Sequence, residues 1–262
     1  MNQPAFDMTG KTVGITGGGK HLGGAMALGL AELGADVFIG SRTLAALERV
    51  EQEAARRGCA GRVRFRALDV TDVSDVDRFL DFVIETSGSL HGWVNNAAGP
   101  GGEALGAMTP SGLASALNGC LTQVMLTSQA AAQRMGQGGA IVNIASMYGL
   151  VSPPPALYRG CEMFHNPPAY GAAKAGVIQF TRYAATHWAE RGIRVNCISP
   201  GPFSGETVQA HAEFMARLAQ RVPLGRIGQP EELVGPVAFL LSNDASYITG
   251  HNLIVDGGWT LQ

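Results

Sequence analysis

The chain has 262 residues, 46% of them hydrophobic, which is enough to bury one large α/β core. Its 19 Lys and Arg nearly balance its 21 Asp and Glu, the net charge is -2, and no basic or acidic block stands out, so neither nucleic acid nor a charged membrane surface is an expected partner. The apolar runs are too short to span a bilayer, the opening MNQPAFDMTG lacks the order of a secretory signal, and the four cysteines form no CxxC pair; a soluble cytoplasmic protein with reduced thiols and no metal is expected.

Along the chain, strand and helix patterns alternate. KTVGIT is a short apolar run that enters a glycine-rich turn, TGGGKHLG, and GGAMALGLAELGA then places small and apolar residues at helical spacing up to a C-cap glycine, Gly34. ADVFIGS reads as a strand, LAALERVEQEAARRG as an amphipathic helix, RVRFRALDV as a strand and VSDVDRFLDFVIETSG as a helix. LHGWVNNAAG, GGAIVNIAS, IRVNCISPG and HNLIVDGG supply four more strands. Strands separated by helices imply right-handed crossovers, hence a seven-stranded parallel sheet with helices on both faces: an α/β, doubly wound Rossmann arrangement in a single domain over 1–262.

In such a sheet the first strand-to-helix turn brings backbone N–H groups to a diphosphate, so Gly17, Gly19, Lys20, His21 and Leu22 are candidate dinucleotide-binding residues. The second strand ends in Gly40-Ser41-Arg42, where an NAD enzyme usually carries a carboxylate. A hydroxyl followed by a guanidinium suits the extra phosphate of NADP instead, and Lys20 would add a second positive charge across the pocket.

The ordered set of motifs resembles the short-chain dehydrogenase/reductase family nearly end to end. Thr16, Gly17 and Gly23 match its T-G-x-x-x-G-x-G motif, with His21 standing at the middle glycine. Leu68-Asp69-Val70 is similar to the segment whose Asp caps the adenine edge, and Asn95-Asn96-Ala97-Ala98-Gly99 to the NNAG motif. Ser146, Tyr170 and Lys174 are similar to the family's Ser and Y-x-x-x-K set, and Pro200-Gly201 to its Pro-Gly. The resemblance implies cofactor contacts at Asp69, Val70, Asn95, Ala97, Lys174, Pro200 and Gly201, hydride transfer between NADP(H) and a carbonyl or alcohol of a small-molecule substrate, and a homotetramer. The chemistry needs these residue types: Tyr170 as acid/base, Lys174 one turn away to hold the nicotinamide ribose and lower the phenol's pKa together with the oxidised ring, and Ser146 to position the substrate oxygen.

Three positions depart from the family pattern. Counting from Thr109-Pro110 to the family's catalytic Asn lands on Cys120, and Asn118, two residues earlier, lies on roughly the opposite helix face unless the helix is bulged. The segment between Ser146 and Tyr170 is longer than usual; its extra chain lies in PPPALYRGCEMFHNPP and is expected to form an ordered, proline-bracketed loop beside the substrate mouth. Tyr158 within it lacks a Lys four residues on and is rejected as the acid. A similar insertion in gluconate 5-dehydrogenase-like and surface-sugar modification members weakly favours a sugar acid or polyol over a 3-oxoacyl thioester or simple ketone. Third, Gly205 stands near the Thr that usually contacts the nicotinamide carboxamide, with Ser204 or Thr207 as substitutes, and VQAHAEFMARLAQR has the amphipathic pattern of a substrate lid. A catalytically idle NADP-binding protein is the alternative from another class.

Overall fold

A computed structural model describes residues 6–262. Its elements run β1 (Thr12–Thr16), α1 (His21–Glu32), β2 (Asp36–Ser41), α2 (Leu44–Arg57), β3 (Arg62–Ala67), α3 (Val73–Ser87), β4 (Gly92–Asn95), α4 (Pro110–Leu117), α5 (Gln123–Arg134), β5 (Gly139–Ile144), α6 (Pro168–Trp188), β6 (Ile193–Pro200), α7 (Glu206–Gln209), α8 (Ala212–Arg221), α9 (Val234–Leu241) and β7 (Asn252–Val255). The seven strands form one sheet in the order β3-β2-β1-β4-β5-β6-β7, every pair parallel. The expected seven-stranded, doubly wound sheet is therefore present.

The strands read as continuous apolar runs because helices cover both faces. One core layer joins Val13, Ile15, Leu30, Ile39 and Leu47 to Val237 and Leu240; the other joins Phe38, Phe79, Leu80, Trp93 and Ile141. Trp93 is fully buried and meets Phe79 edge-on, its ring lying where a side chain at position 14 would stand: a Cβ on Gly14 would come within 2.5 Å of it. Helix ends follow local chemistry. Asp72 caps α3 by accepting the Ser74 N–H, and Gly58 and Gly88 close α2 and α3 in the left-handed region.

Several strands are shorter than their apolar patterns. β3 stops at Ala67, where its partner β2 stops at Ser41; the Leu68 N–H makes the last bond to the Ser41 carbonyl, and Asp69-Val70 leave the sheet at its carboxyl end. The strand order reverses between β1 and β4, which opens a crevice at their carboxyl ends.

Candidate active site

The carboxyl ends of β1 and β4 lock together at the crevice. Thr16 Oγ1 accepts from the Asn96 and Ala97 N–H groups, each at 3.0 Å, and Asn96 Nδ2 donates to the Thr16 and Gly17 carbonyls. Gly17 has φ 68°, and a Cβ there would lie 2.9 Å from Ala97 Cα, so only glycine lets the two turns close on each other. α1 then begins at His21 with no side-chain cap on its first N–H groups, which leaves backbone donors and the positive end of the helix dipole facing the turn. A dinucleotide diphosphate fits that cradle.

Other expected cofactor residues lie near this turn or at the carboxyl ends of neighbouring strands. Ser41 Oγ faces Gly19, 3.2 Å from where its Cβ would be. Asp69 accepts from the Thr71 N–H and hydroxyl, and these bonds, with the nearby Arg42 guanidinium, hold its carboxyl below the usual range. Pro200 ends β6 and Gly201 opens onto the substrate cavity. Asn95, however, is not a cofactor-lining side chain. It is buried, its amide donates to Ser128 Oγ (2.7 Å) and Asn143 Oδ1 (2.8 Å), and its carbonyl oxygen accepts from Trp93 Nε1 and Thr127 Oγ1. Every polar atom of that side chain is committed to the core, and Asn96, the next residue, does the work at the turn.

The catalytic set converges from β5 and α6. Pro168 opens α6, so Tyr170 sits in its first turn and Lys174 one turn further on, with Lys174 Nζ 5.7 Å from the Tyr170 ring centroid. Lys174 is buried and donates to the Ile144 carbonyl at 2.7 Å; its other two N–H bonds meet no acceptor among the described residues, as a group that holds ribose hydroxyls requires. Ser146, just past β5, accepts the Tyr148 N–H on Oγ at 3.1 Å and lines the same cavity as the Tyr170 phenol, whose pKa its hydroxyl draws down.

The expected lowering of the Tyr170 pKa by Lys174 is not what the protein alone displays. Burial pushes the phenol up, the Ser146 hydroxyl pulls it part of the way back, and burial brings Lys174 itself down to about 8. Both charged forms lose water at once, and desolvation outweighs their mutual support. A bound nicotinamide supplies the hydride and, when oxidised, a positive charge beside the phenol.

The bulge condition on Asn118 is met, but it serves Cys120. Residues Asn118–Thr122 form a π-helical turn between α4 and α5; Asn118 is exposed, whereas Cys120 is fully buried with Sγ 3.7 Å from the Gly99 carbonyl oxygen. Its thiol lies close enough to Tyr170 and Lys174 to couple with both charges, and burial raises its pKa, so it is a neutral thiol at the family's Asn position.

A cavity of about 300 Å³ adjoins Ser146 and Tyr170 and is flanked by the insertion and by α7 and α8. Tyr158, Phe164 and Asn166 come from the insertion; Val208, Phe214 and Leu218 come from α7 and α8. Ser204 and Gly205 line it, while Thr207 is exposed. His21, left without a role by its motif, has φ 49° and reaches the Ser204 carbonyl, tying the glycine turn to the lid; burial lowers its pKa and that carbonyl opposes the shift. A larger cavity, about 670 Å³, opens at the opposite, amino ends of the strands beside Lys11 and His91 and holds none of these residues. Sequence reasoning missed Tyr148, whose only signal is its place two residues after Ser146.

A family model described as enoyl-(acyl carrier protein) reductase matches residues 19–260. The chain belongs to the short-chain dehydrogenase/reductase family. It is 35% identical to 2-dehydro-3-deoxy-D-gluconate 5-dehydrogenase of Escherichia coli over 97% of both chains, and 34% identical to cyclohexanol dehydrogenase of an Acinetobacter species over 94% of this chain and 93% of that one. A crystal structure of a short-chain type dehydrogenase/reductase from Mycobacterium marinum superimposes with a TM-score of 0.89 at 35% identity, covering 98% of each chain. The protein is accordingly an oxidoreductase that moves a hydride between a nicotinamide dinucleotide and a carbonyl or alcohol carbon. Among the described residues no helix is long and apolar enough to cross a membrane, and no cluster of metal-ligating side chains occurs.

Proposed function

We propose that this short-chain dehydrogenase/reductase uses NADP(H) to interconvert a small polar alcohol and its ketone, with Tyr170 as acid/base, Lys174 as ribose holder and Ser146 as the donor that positions the substrate oxygen. The observation that carries the reading is the convergence of Ser146 and Tyr170 on one cavity with a buried Lys174 behind them that keeps two unspent donors. Tyr170 delivers its proton to the carbonyl oxygen that Ser146 holds, and Lys174 restrains the phenol from below. Arg42 and Lys20, both exposed at the turn side of the crevice, would pair with a 2′-phosphate, whereas a carboxylate there would repel it. Unpaired thiols fit the cytoplasm, and the family fits a homotetramer.

The test is NADPH oxidation against sugar-acid, polyol-derived, simple-ketone and 3-oxoacyl-thioester substrates. Tyr170→Phe is expected to lower kcat by about a thousandfold, the size of a lost general acid. Arg42→Asp is expected to weaken NADPH binding by more than about tenfold and leave NADH nearly unaffected, since it removes one charge-assisted bond to the phosphate. Full activity in Tyr170→Phe would return the protein to the idle nucleotide-binding class, and equal losses for both dinucleotides would remove the phosphate argument.

A further inference from the structure

None of the residues lining the substrate cavity carries a formal charge. Most charged groups nearby are committed elsewhere, although Arg221, behind Tyr148, keeps a buried Nε without a hydrogen-bond partner. Arg217 donates to the Arg159 carbonyl at 2.6 Å and pairs with Glu213, Arg221 lies 5.1 Å over the Trp259 ring, and Glu162 accepts the Gly160 N–H. His165 and His211 turn their rings onto Tyr158 and Phe164. A carboxylate entering the cavity would find no cation in its lining.

Besides the Ser204 hydroxyl at its rim, the cavity has two polar places. One is Ser146 with Tyr170. The other is formed by Tyr148 and Tyr158, 6% and 3% exposed, whose hydroxyl oxygens are hydrogen-bonded at 2.5 Å, with Asn166 in the same wall. Only one of the two phenol O–H bonds can lie between those oxygens. Neither hydroxyl has another acceptor among the described residues, so one O–H is left for a ligand. Between the two polar places the wall is Met147, Phe203, Val208, Phe214 and Leu218. A volume of about 300 Å³ is at the small end for a ligand site. A ring that carries oxygen at two ends would set both oxygens on these polar places and its carbons against that wall.

We infer that the substrate is an uncharged, ring-sized hydroxyketone or the corresponding cyclic diol, with the reacting oxygen at Ser146 and Tyr170 and the second hydroxyl read by Tyr148, Tyr158 and Asn166. This inference rests on the hydride-transfer reading above and narrows its substrate class. Tyr158 and Asn166 come from the insertion, so the insertion is the specificity element of this chain.

The test measures kcat/KM with NADPH for 4-hydroxycyclohexanone, cyclohexanone and 4-oxocyclohexanecarboxylate. The hydroxyketone is expected to exceed each of the others by roughly tenfold or more, the discrimination of a site built to hydrogen-bond a hydroxyl. Tyr158→Phe is expected to erase most of the preference for the hydroxyketone over cyclohexanone; Tyr148→Phe, which removes the other hydroxyl, serves should the first variant fold poorly by circular dichroism. A carboxylate used as well as the hydroxyketone, a wild type indifferent to the hydroxyl, or an unchanged preference in both folded variants would overturn the inference while leaving hydride transfer intact. Turnover of none of the three would overturn the inference, and the hydride-transfer reading would fall with it only if NADPH bound and the wider panel of sugar acids, polyol-derived ketones and thioesters were inert as well.

Discussion

At the scale of single residues, Lys174 has the least room to vary. It is buried beside a phenol that is itself pushed up by burial, and its ammonium persists only to about pH 8. Between that value and its ordinary 10.5 the unfolded chain holds a proton that the folded chain has lost, so this residue makes stability rise with pH across the window, and its desolvation cost is fully present below about 8. Activity runs the other way. Since the cationic form is needed to hold ribose hydroxyls, kcat/KM for NADPH in the reductive direction is expected to fall as pH rises through about 8 with a slope of one proton. Lys174→Arg, weaker overall, should show no fall at that pH, because a guanidinium stays charged. A wild-type profile flat to pH 10, or an unchanged fall in the arginine variant, would assign the limb to another group. The residues of this set were legible because Tyr170 and Lys174 are one turn apart in sequence as well as in space. The pKa directions were not, since they depend on burial that a linear pattern does not contain.

At the scale of elements, alternation of apolar runs and amphipathic helices was sufficient to anticipate the sheet, while strand ends were not, because β3 and β4 stop where their partners stop rather than where their apolar character ends. The π-helical turn at Asn118–Thr122 was visible only as a condition on which residue could face the site. Asn95 was misread for a related reason. Its partners Thr127, Ser128 and Asn143 lie far along the chain on α5 and β5, and Asn143 passes the network on to Thr181 of α6. Nothing in NNAAG announces that the first Asn faces inward and the second outward. The network joins β4, β5, α5 and α6 beneath the site, so Asn95→Ala, which leaves Trp93 Nε1 and Asn143 Oδ1 short of partners, is expected to cost about 3 kcal/mol in urea unfolding. A loss of NADPH affinity without a loss of stability would restore Asn95 to the cofactor surface.

At the scale of the molecule, the two edges of the sheet are treated differently. β3 carries Arg62, Arg64 and Arg66 along its length, charges that deter another strand or chain from docking there. β7 reads NLIV, with Ile254 exposed, and Tyr247 and Leu261 are exposed nearby in sequence. Elsewhere, α4 and α5 expose Leu113, Met125 and Leu126, and α6 exposes Tyr183. Scattered apolar side chains need no explanation, but two groups on separate elements, one along an unguarded sheet edge, are what a chain with two self-complementary contacts would carry. Two different isologous contacts close into a tetramer of two-fold symmetries, which is how the proposed homotetramer would use them. Light scattering on the purified protein is then expected to give the mass of four 27.3 kDa chains. Ile254→Lys should leave pairs joined through the helices, Met125→Lys with Tyr183→Lys should leave pairs joined through the β7 edge, and the three together should leave single chains. A wild type that runs as one chain at micromolar concentration, or variants that keep the full mass, would mean that these apolar groups face solvent or that other surfaces hold the subunits together.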